Sequence, residues 1–354
     1  MGEKYLMKGN EAIAEAAIRN GCVHFFGYPI TPQTEVSAYM SKVLPKIGGT
    51  FLQAESEIAA INMVLGAASC GVRAMTSSSS PGISLKSEGI SYIAGSDLPC
   101  VILNVMRGGP GLGGIQPSQA DYWQATKALG HGDFQLIVLA PATVQEIVDL
   151  MGTAFDLADK YRMPALMLAD GMLGQMMEPV EFPQKKEVHA SAKPYATMGT
   201  QGKRPPNIIN SLYLKPDELE KTVLDRYERY EQVKANEVRV EEYRAEDADI
   251  ITVAYGATSR VVKSAVDQAR GKGIKAGLIR PITVWPFPAE AIAQAAKRVD
   301  CMLAVEMSMG QMVDDVRLAA NGVCPVHFFG RTGGIVPSPA EVLGQIEKLA
   351  GGVR

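Results

Sequence analysis

The chain has 354 residues, and its 35 lysines and arginines against 38 aspartates and glutamates give a formal net charge of −3. This length predicts two domains, and 47% hydrophobic against 21% charged residues excludes a globally disordered chain. The near-neutral balance argues against a protein that binds nucleic acid through phosphate contacts, because that mode needs a basic excess. No apolar run approaches the roughly 20 residues of a membrane helix, and the N-terminus lacks a signal-peptide core. We therefore expect a soluble, cytoplasmic protein.

The cysteines are dispersed through the chain, at Cys22, Cys70, Cys100, Cys301 and Cys324. No C-x-x-C spacing occurs, which argues against a zinc knuckle or an iron–sulfur cluster held by this chain alone. We expect buried thiols.

Strand-like and helix-like segments alternate from the N-terminus to residue 183. Strands are predicted at 23–27, 50–53, 74–76, 101–106, 136–140 and 165–169, and helices at 10–20, 55–68, 84–94, 119–129 and 144–160. Apolar strands alternating with helices indicate an α/β fold with a parallel sheet covered on both faces. Ligands of such sheets bind beyond the carboxyl ends of the strands, so the loops at those ends are the candidate site.

Two further regions follow. Residues 184–247 are predicted to be a linker, in which 184–214 lacks periodicity and 215–247 forms a long charged helix with a thin apolar stripe. That helix is either a spacer or a surface for a partner. Residues 248–354 are predicted to be a second α/β domain, with strands at 250–255, 276–280, 302–306 and 326–329 and helices at 259–272, 289–297, 311–320 and 339–349.

Three loops at strand ends carry candidate functional residues. In the turn 28–32, two prolines fix the backbone around the hydroxyl of Thr31, although an ordinary rigid turn has the same composition. Glu55 and Glu57 precede an apolar helix, where they either cap it or, for Glu57, occupy a dry pocket in which a carboxyl can share a proton. The serine-rich segment 76–82 is either a flexible connection or the wall of a ligand site.

A glycine-rich loop follows the strand at 101–106. Gly109, Gly111 and Gly114 match G-x-G-x-x-G, but Pro110 and Pro117 delay the helix that a dinucleotide site needs at this position. An NAD-binding dehydrogenase is therefore a remote alternative. Arg107, at the base of the loop, either binds a substrate carboxylate bidentately or forms a structural salt bridge.

These segments together resemble one protein family. Residues 28–32, 55–57, 77–82 and 107–111 resemble the α-type, pyrimidine-domain subunit of 2-oxoacid:ferredoxin oxidoreductases, and residues 278–288 and 305–311 resemble its transketolase C-terminal-like domain. The resemblance extends in order over nearly the whole chain and is closest to the 2-oxoisovalerate (branched-chain 2-oxoacid) enzyme. It implies a thiamine-diphosphate pyrimidine domain over residues 1–183, followed by a transketolase C-terminal-like α/β domain over residues 248–354.

The resemblance also implies roles for four residues. Glu57 matches the glutamate that hydrogen-bonds the aminopyrimidine of thiamine diphosphate, whereas Glu55 does not. Thr31 matches the threonine that hydrogen-bonds the 2-oxoacid, and Arg107 matches the arginine that binds the substrate carboxylate. Pro29 is expected to line the pyrimidine pocket. Retention of the three catalytic candidates together argues against a non-catalytic scaffold.

The remaining parts of such an enzyme are expected elsewhere. The sequence contains no Gly-Asp-Gly motif for Mg²⁺, which implies a thiamine-diphosphate-domain β-type subunit to hold the metal. The resemblance further implies a γ-type subunit, a ferredoxin-like subunit with the iron–sulfur clusters, ferredoxin as acceptor and coenzyme A as co-substrate. The expected reaction is oxidative decarboxylation of 2-oxoisovalerate to isobutyryl-CoA, with 2-oxoglutarate as the alternative substrate. Met106, Leu112 and Ile115, with no second arginine beside Arg107, favour the apolar substrate.

Overall fold

The computed structural model describes residues 3–127, 129, 131–186 and 193–352. The helices are α1 Gly9–Arg19, α2 Thr34–Val43, α3 Glu57–Ser69, α4 Pro81–Gly95, α5 Tyr122–Thr126, α6 Val144–Tyr161, α7 Gly171–Gln175, α8 Pro216–Asn236, α9 Thr258–Gly271, α10 Ala289–Ala296, α11 Met312–Ala320 and α12 Pro339–Gly352. The strands are β1 Lys4–Lys8, β2 His24–Gly27, β3 Thr50–Gln53, β4 Ala74–Ser78, β5 Val101–Met106, β6 Ile137–Leu139, β7 Ala165–Asp170, β8 Met177–Glu181, β9 Val240–Tyr243, β10 Ile250–Val253, β11 Ala276–Pro281, β12 Thr283–Trp285, β13 Cys301–Glu306 and β14 Val326–Gly330.

The larger sheet has seven strands in the order β12-β6-β7-β5-β4-β2-β3. All pairs are parallel except that of β12 with β6 at the edge. The central strands β4, β5 and β7 are buried along their whole length, as expected for a sheet covered on both faces. This confirms the α/β fold predicted for the first part of the chain.

The second sheet has the order β14-β13-β10-β11-β9, with β9 antiparallel at its edge and the other pairs parallel. Its buried residues form a smaller apolar cluster with α9 and α12. A separate two-stranded antiparallel ribbon joins β1 to β8. The second α/β unit expected from residue 248 onward is therefore present.

Two predicted helices differ from the structure. The charged helix expected over 215–247 ends at Asn236, and Val240–Tyr243 instead forms β9, which completes the edge of the second sheet. The segment Val240-Glu241-Glu242-Tyr243 lies in a charged run and does not alternate apolar with polar residues, so it carries no strand pattern. The helix expected over 119–129 is confined to Tyr122–Thr126; Gln119 lies before it and donates its backbone N–H to Met307 O at 2.8 Å, and residue 128 of that prediction lies outside the described residues.

Buried polar contacts join the two sheets. The Gln119 side chain, fully buried, donates to Tyr255 O at 2.9 Å and accepts from Thr258 Oγ1 at 2.7 Å. The guanidinium of Arg280 reaches Glu146 of α6 at 2.6 Å and Glu241 of β9 at 2.6 Å. Together with β12, which adds to the first sheet from the second half of the sequence, these contacts bring loops of both halves to one end of the molecule.

Four of the cysteines are buried and Cys70 is exposed. Within the described ranges, no helix is long and apolar enough to span a membrane.

Candidate functional site

The loops after β2, β4 and β5 lie together beyond the carboxyl ends of the strands of the larger sheet, because these parallel strands are direct neighbours. Thr31 lies in the turn after β2, the serine segment ends β4, and Arg107 follows β5. In open α/β sheets, ligands bind beyond the carboxyl ends of the strands, which is where these loops lie. Pro29 lies on the exposed part of the turn after β2.

Arg107 and Thr31 are in direct contact. Arg107 is only 9% exposed, and its guanidinium donates to the carbonyl oxygen of Thr31 at 2.9 Å and to that of Leu112 at 3.4 Å. Among the described residues, Arg107 Nε has no hydrogen-bond partner. The guanidinium thus bonds carbonyl oxygens and keeps a buried donor unused, which fits a ligand-binding cation better than a structural salt bridge.

Glu57 is buried at the first turn of α3. Ser56 caps this helix by accepting the Ala59 N–H at 3.2 Å, so capping does not require Glu57. Glu57 is 6% exposed, and the backbone of Gly82 packs against it so closely that an added Cβ would lie 2.7 Å from Glu57 Oε1. Glu55, by contrast, is exposed. The two glutamates therefore differ in exposure: Glu57 is buried, as the interpretation of a water-poor pocket expects, and Glu55 is in contact with solvent.

The serine segment is a buried wall between Glu57 and Arg107. Ser77 Oγ donates to Gln33 Oε1 at 2.6 Å, and Ser80 Oγ bonds both the backbone of Arg107 and Asp121 Oδ2, the latter at 2.6 Å. In the described part of the chain, the buried hydroxyls of Ser78 and Ser79 have no partner. This segment is accordingly a packed part of the fold and not a flexible connection.

Two buried charged groups beside this wall were missed by the sequence analysis. Burial raises the pKa of Asp121, while hydrogen bonds from Ser80 and Asn104 and the charge of Arg107 oppose the rise. Lys86 on α4 is fully buried, and burial lowers its pKa to about 7, against the opposing effect of the Glu57 carboxylate. A signal for Lys86 existed, since it replaces an apolar residue in the buried stripe of α4, which includes Ile83, Ile90 and Ile93.

The glycine loop takes no part in a dinucleotide site. Gly108 N donates to Gln116 O at 3.0 Å and Gly114 N to Gly108 O at 3.0 Å, so the loop closes on itself. The next helix begins only at Tyr122. The helix N-terminus that a dinucleotide fingerprint places within its glycines is therefore not found in this described loop, which removes the basis of the NAD-binding alternative.

A cavity of about 740 Å³ lies next to Thr31, between the first sheet and a loop of the second. It is lined by Thr31, Pro32, Ile115, Gln116, Pro117, Gly171, Met172, Gln175, Met176, Gly334 and Val336. None of these side chains is charged. Of the three apolar residues expected near the substrate, Ile115 lines this cavity, whereas Met106 is buried within β5 and Leu112 is 89% exposed.

A larger cavity of about 1000 Å³ lies between α8 and residues 284–291 and contains none of the predicted site residues.

No group of three or more His, Cys, Asp and Glu side chains suited to a metal ion occurs in residues 3–127, 129, 131–186 or 193–352. Asp170, in the segment Ala169-Asp170-Gly171 that matches two residues of a Gly-Asp-Gly motif, caps α7 by accepting the N–H groups of Met172 and Leu173. Burial raises the pKa of Asp170 to about 6. Its carboxylate is therefore used within the fold.

Comparisons with known proteins agree with this arrangement. The family model described as "Pyruvate flavodoxin/ferredoxin oxidoreductase, thiamine diP-bdg" matches residues 15–245, and the model "Pyruvate:ferredoxin oxidoreductase core domain II" matches residues 248–342. The "Ketoisovalerate oxidoreductase subunit VorB" of Methanothermobacter marburgensis is 50% identical over 346 residues, covering 98% of each chain. The "2-oxoglutarate synthase subunit KorA" of the same organism is 38% identical, covering 98% of this chain and 99% of that one.

Two solved structures resemble the fold. A 2-oxoglutarate:ferredoxin oxidoreductase from Magnetococcus marinus, with 2-oxoglutarate, coenzyme A and succinyl-CoA bound, aligns with a TM-score of 0.87 and 27% identity. The alignment covers 98% of this chain, which spans 65% of the length of that larger chain. A split-gene transketolase aligns with a TM-score of 0.60 and 13% identity, which is a similarity of fold alone.

Proposed function

The chain belongs to the pyruvate flavodoxin/ferredoxin oxidoreductase family as a 2-oxoacid:ferredoxin oxidoreductase subunit, and from that premise we propose that it forms the pyrimidine half of a shared thiamine-diphosphate site. The proposed reaction is the coenzyme-A-dependent oxidative decarboxylation of 2-oxoisovalerate to isobutyryl-CoA and CO₂, with reduction of ferredoxin. The observation that carries the proposal is that Glu57 and Arg107 are buried at the carboxyl ends of neighbouring strands, where Gly82 packs against Glu57 and Ser80 bonds the backbone of Arg107. Arg107 in turn contacts the carbonyl oxygen of Thr31, in the exposed turn after β2.

The residues at this edge fit the cofactor's pyrimidine ring. Ser78 Oγ and Ser79 Oγ are buried without a partner among the described residues, which supports the proposal that a polar ligand bonds them. Gly82 lets α4 pack directly against the Glu57 carboxylate, where any larger residue would clash with it. Thiamine diphosphate, when bound, would supply the nucleophilic carbon and the electron sink for decarboxylation.

The chain's own residues then have separate tasks. The buried Glu57 carboxyl would hydrogen-bond a ring nitrogen of the bound cofactor, because a hydrogen bond to a charged group is strongest where water is excluded. Arg107 binds the substrate carboxylate through its free guanidinium edge, and the Thr31 hydroxyl donates to the keto oxygen. Pro29 is proposed to contact the pyrimidine at the entrance of the site.

The cavity beside Thr31 favours a branched aliphatic substrate. Met172, Met176 and Val336 offer apolar surface to an isopropyl group. Arg260 lies behind Met176, but its guanidinium is paired with Glu178 at 2.7 Å and so is not free to bind the second carboxylate of 2-oxoglutarate. The 50% identity to the ketoisovalerate subunit supports the same choice.

The proposal requires partner subunits. We propose that a β-type subunit binds the diphosphate and Mg²⁺, that a γ-type subunit completes the complex, and that a ferredoxin-like subunit carries iron–sulfur clusters to ferredoxin. Leu112 and Met309, on loops near the site, are 89% and 77% exposed, as expected of a surface that a partner covers. The chain alone is then inactive, and full activity without partners would contradict the proposal.

The direct test uses the anaerobically purified complex with intact clusters and added thiamine diphosphate. Coenzyme-A-dependent viologen reduction is measured with 2-oxoisovalerate and 2-oxoglutarate side by side. We expect a higher kcat/KM for 2-oxoisovalerate. Preference for 2-oxoglutarate would contradict the substrate assignment and place its second cation on a partner subunit, whereas no reduction with either acid would contradict the proposed function.

A further inference from the structure

Lys86 is a fully buried lysine to which the mechanism above gives no task. It lies on α4 between the buried isoleucines Ile83 and Ile90. Its Nζ donates to Thr76 Oγ1 at 2.6 Å and to Ser77 O at 3.0 Å, at the carboxyl end of β4. Lysine is seldom buried without a specific purpose, because removing an ammonium group from water is costly.

The geometry of α4 connects Lys86 to Glu57. Gly82, one turn before Lys86 on the same helix, packs against both Ser78 Oγ and Glu57 Oε1. The helix that carries Lys86 therefore lies directly on the Glu57 carboxylate, and the carboxylate is close enough to raise the pKa of Lys86 against the effect of burial.

The other charges around α4 do not compete for this position. Glu57 is the one titratable residue on α3, and β4 carries none. Arg107 and Asp121 lie beside Ser80, just before α4, and are already bonded there: Arg107 donates to the carbonyl oxygen of Thr31, and Asp121 accepts from the Ser80 hydroxyl. On α4 itself, Glu88 and Tyr92 are exposed and hydrogen-bonded to each other.

We propose that Lys86 is a positioning residue for Glu57: it anchors the end of β4 that carries the serine wall, and it supplies a buried cation that holds the Glu57 carboxylate in place. This inference rests on the proposed function, in which Glu57 shares a proton with the cofactor. Lys86 does not touch the substrate in this arrangement. Its effect is exerted through Glu57.

A double-mutant cycle on the full-length chain without cofactor tests the pairing. The melting temperature is measured at pH 6, where Lys86 is protonated, for the wild type, Glu57→Gln, Lys86→Met and the double variant. In the wild-type background, Glu57→Gln leaves a buried ammonium without its counter-charge and lowers the melting temperature. In the Lys86→Met background, the same change removes an unpaired buried carboxylate and raises it or leaves it unchanged.

The matched control is Lys42→Met, which removes an exposed lysine on α2. Glu57→Gln is expected to lower the melting temperature equally with and without Lys42→Met. If Glu57→Gln also lowered the melting temperature by the wild-type amount in the Lys86→Met background, the inference would be overturned. If Lys86→Met alone fails to fold, the double variant can still be measured, because Glu57→Gln with Lys86→Met leaves no unpaired buried charge.

A second readout uses the assembled complex. In Lys86→Met, kcat is expected to fall by about 10-fold while KM changes little, because a displaced Glu57 disturbs the reacting groups and not substrate binding. An unchanged kcat would contradict the positioning role. Coupling in the stability cycle combined with a fully active Glu57→Gln complex would overturn the proposed function and leave the Lys86–Glu57 pairing intact, so the two failures are distinguishable.

Discussion

Replacing Gly82 with alanine tests how tightly the structure holds Glu57. The added Cβ would lie 2.1 Å from Ser78 Oγ and 2.7 Å from Glu57 Oε1, whereas real Cβ contacts below 3.0 Å essentially do not occur. The hydroxyl must therefore retreat by about 0.9 Å and the carboxylate oxygen by about 0.3 Å. Ser78 Oγ has no partner among the described residues and can rotate away, but Glu57 is confined between α3 and α4.

The effect on activity should exceed the effect on stability. Overpacking costs about 1–3 kcal/mol, and alanine in a helix recovers about 0.5–1 kcal/mol, so we expect a net loss of about 1–2 kcal/mol in the free energy of unfolding. A misplaced catalytic group is more serious, and turnover should fall by about 10–100-fold.

The assay compares the viologen-reduction rate and the urea-unfolding midpoint of Gly82→Ala with those of Gly66→Ala. Gly66 is an exposed glycine of α3 with no atom within 4 Å of an added Cβ, so its substitution should stabilise the chain slightly and leave turnover unchanged. Equal turnover of the two variants would refute the reasoning that Gly82 positions Glu57.

Three further predictions concern the interface of the two sheets, the buried lysine and the exposed loop. Arg280→Met leaves Glu146 without its buried partner and should lower the free energy of unfolding, measured in urea, by about 3 kcal/mol. Arg317→Met removes only an exposed pair with Asp314 and should lower it by under about 0.5 kcal/mol. Equal losses in the two variants would contradict the reasoning. Because the pKa of Lys86 in the fold, about 7, lies below the ordinary 10.5, the unfolded chain binds more protons between these values, so stability should rise with pH there, and Lys86→Met should flatten the rise. A slope equal to that of the wild type would be evidence against the burial of this ammonium. Leu112→Asp should weaken assembly with partner subunits in size-exclusion chromatography while leaving the melting temperature of the free chain unchanged, and undiminished assembly would show that partners do not cover this loop.

Local patterns were enough to predict the order of most strands and helices. The composition of apolar segments such as 101–106 predicts strands, and glycines and prolines predict where those strands end. Because parallel strands present their carboxyl ends at one edge, the closeness of Thr31 and Arg107 could also be expected before any coordinates. Their direct contact at 2.9 Å confirms that expectation. The roles of Glu57, Thr31, Arg107 and Pro29 stay predictions.

What sequence reasoning missed depends on contacts distant in the chain. β9 is a strand because the edge of β11 is open to it, and four residues in a charged run give no signal of that edge. Gln119 is buried because Tyr255, Thr258 and Met307 surround it, from more than 130 positions away. The burial of Lys86 likewise could not be predicted from local sequence, because it depends on how α3 and α4 pack against each other.

The most direct measurement of the central claim compares two glutamates that are two positions apart. Complexes reconstituted with Glu57→Gln and with Glu55→Gln are assayed for coenzyme-A-dependent viologen reduction with 2-oxoisovalerate, and their folding is checked by melting temperature. The account predicts that Glu57→Gln lowers turnover by about 10²–10⁴-fold while the exposed Glu55→Gln stays near the wild type. Near-normal turnover of a folded Glu57→Gln complex would contradict the account.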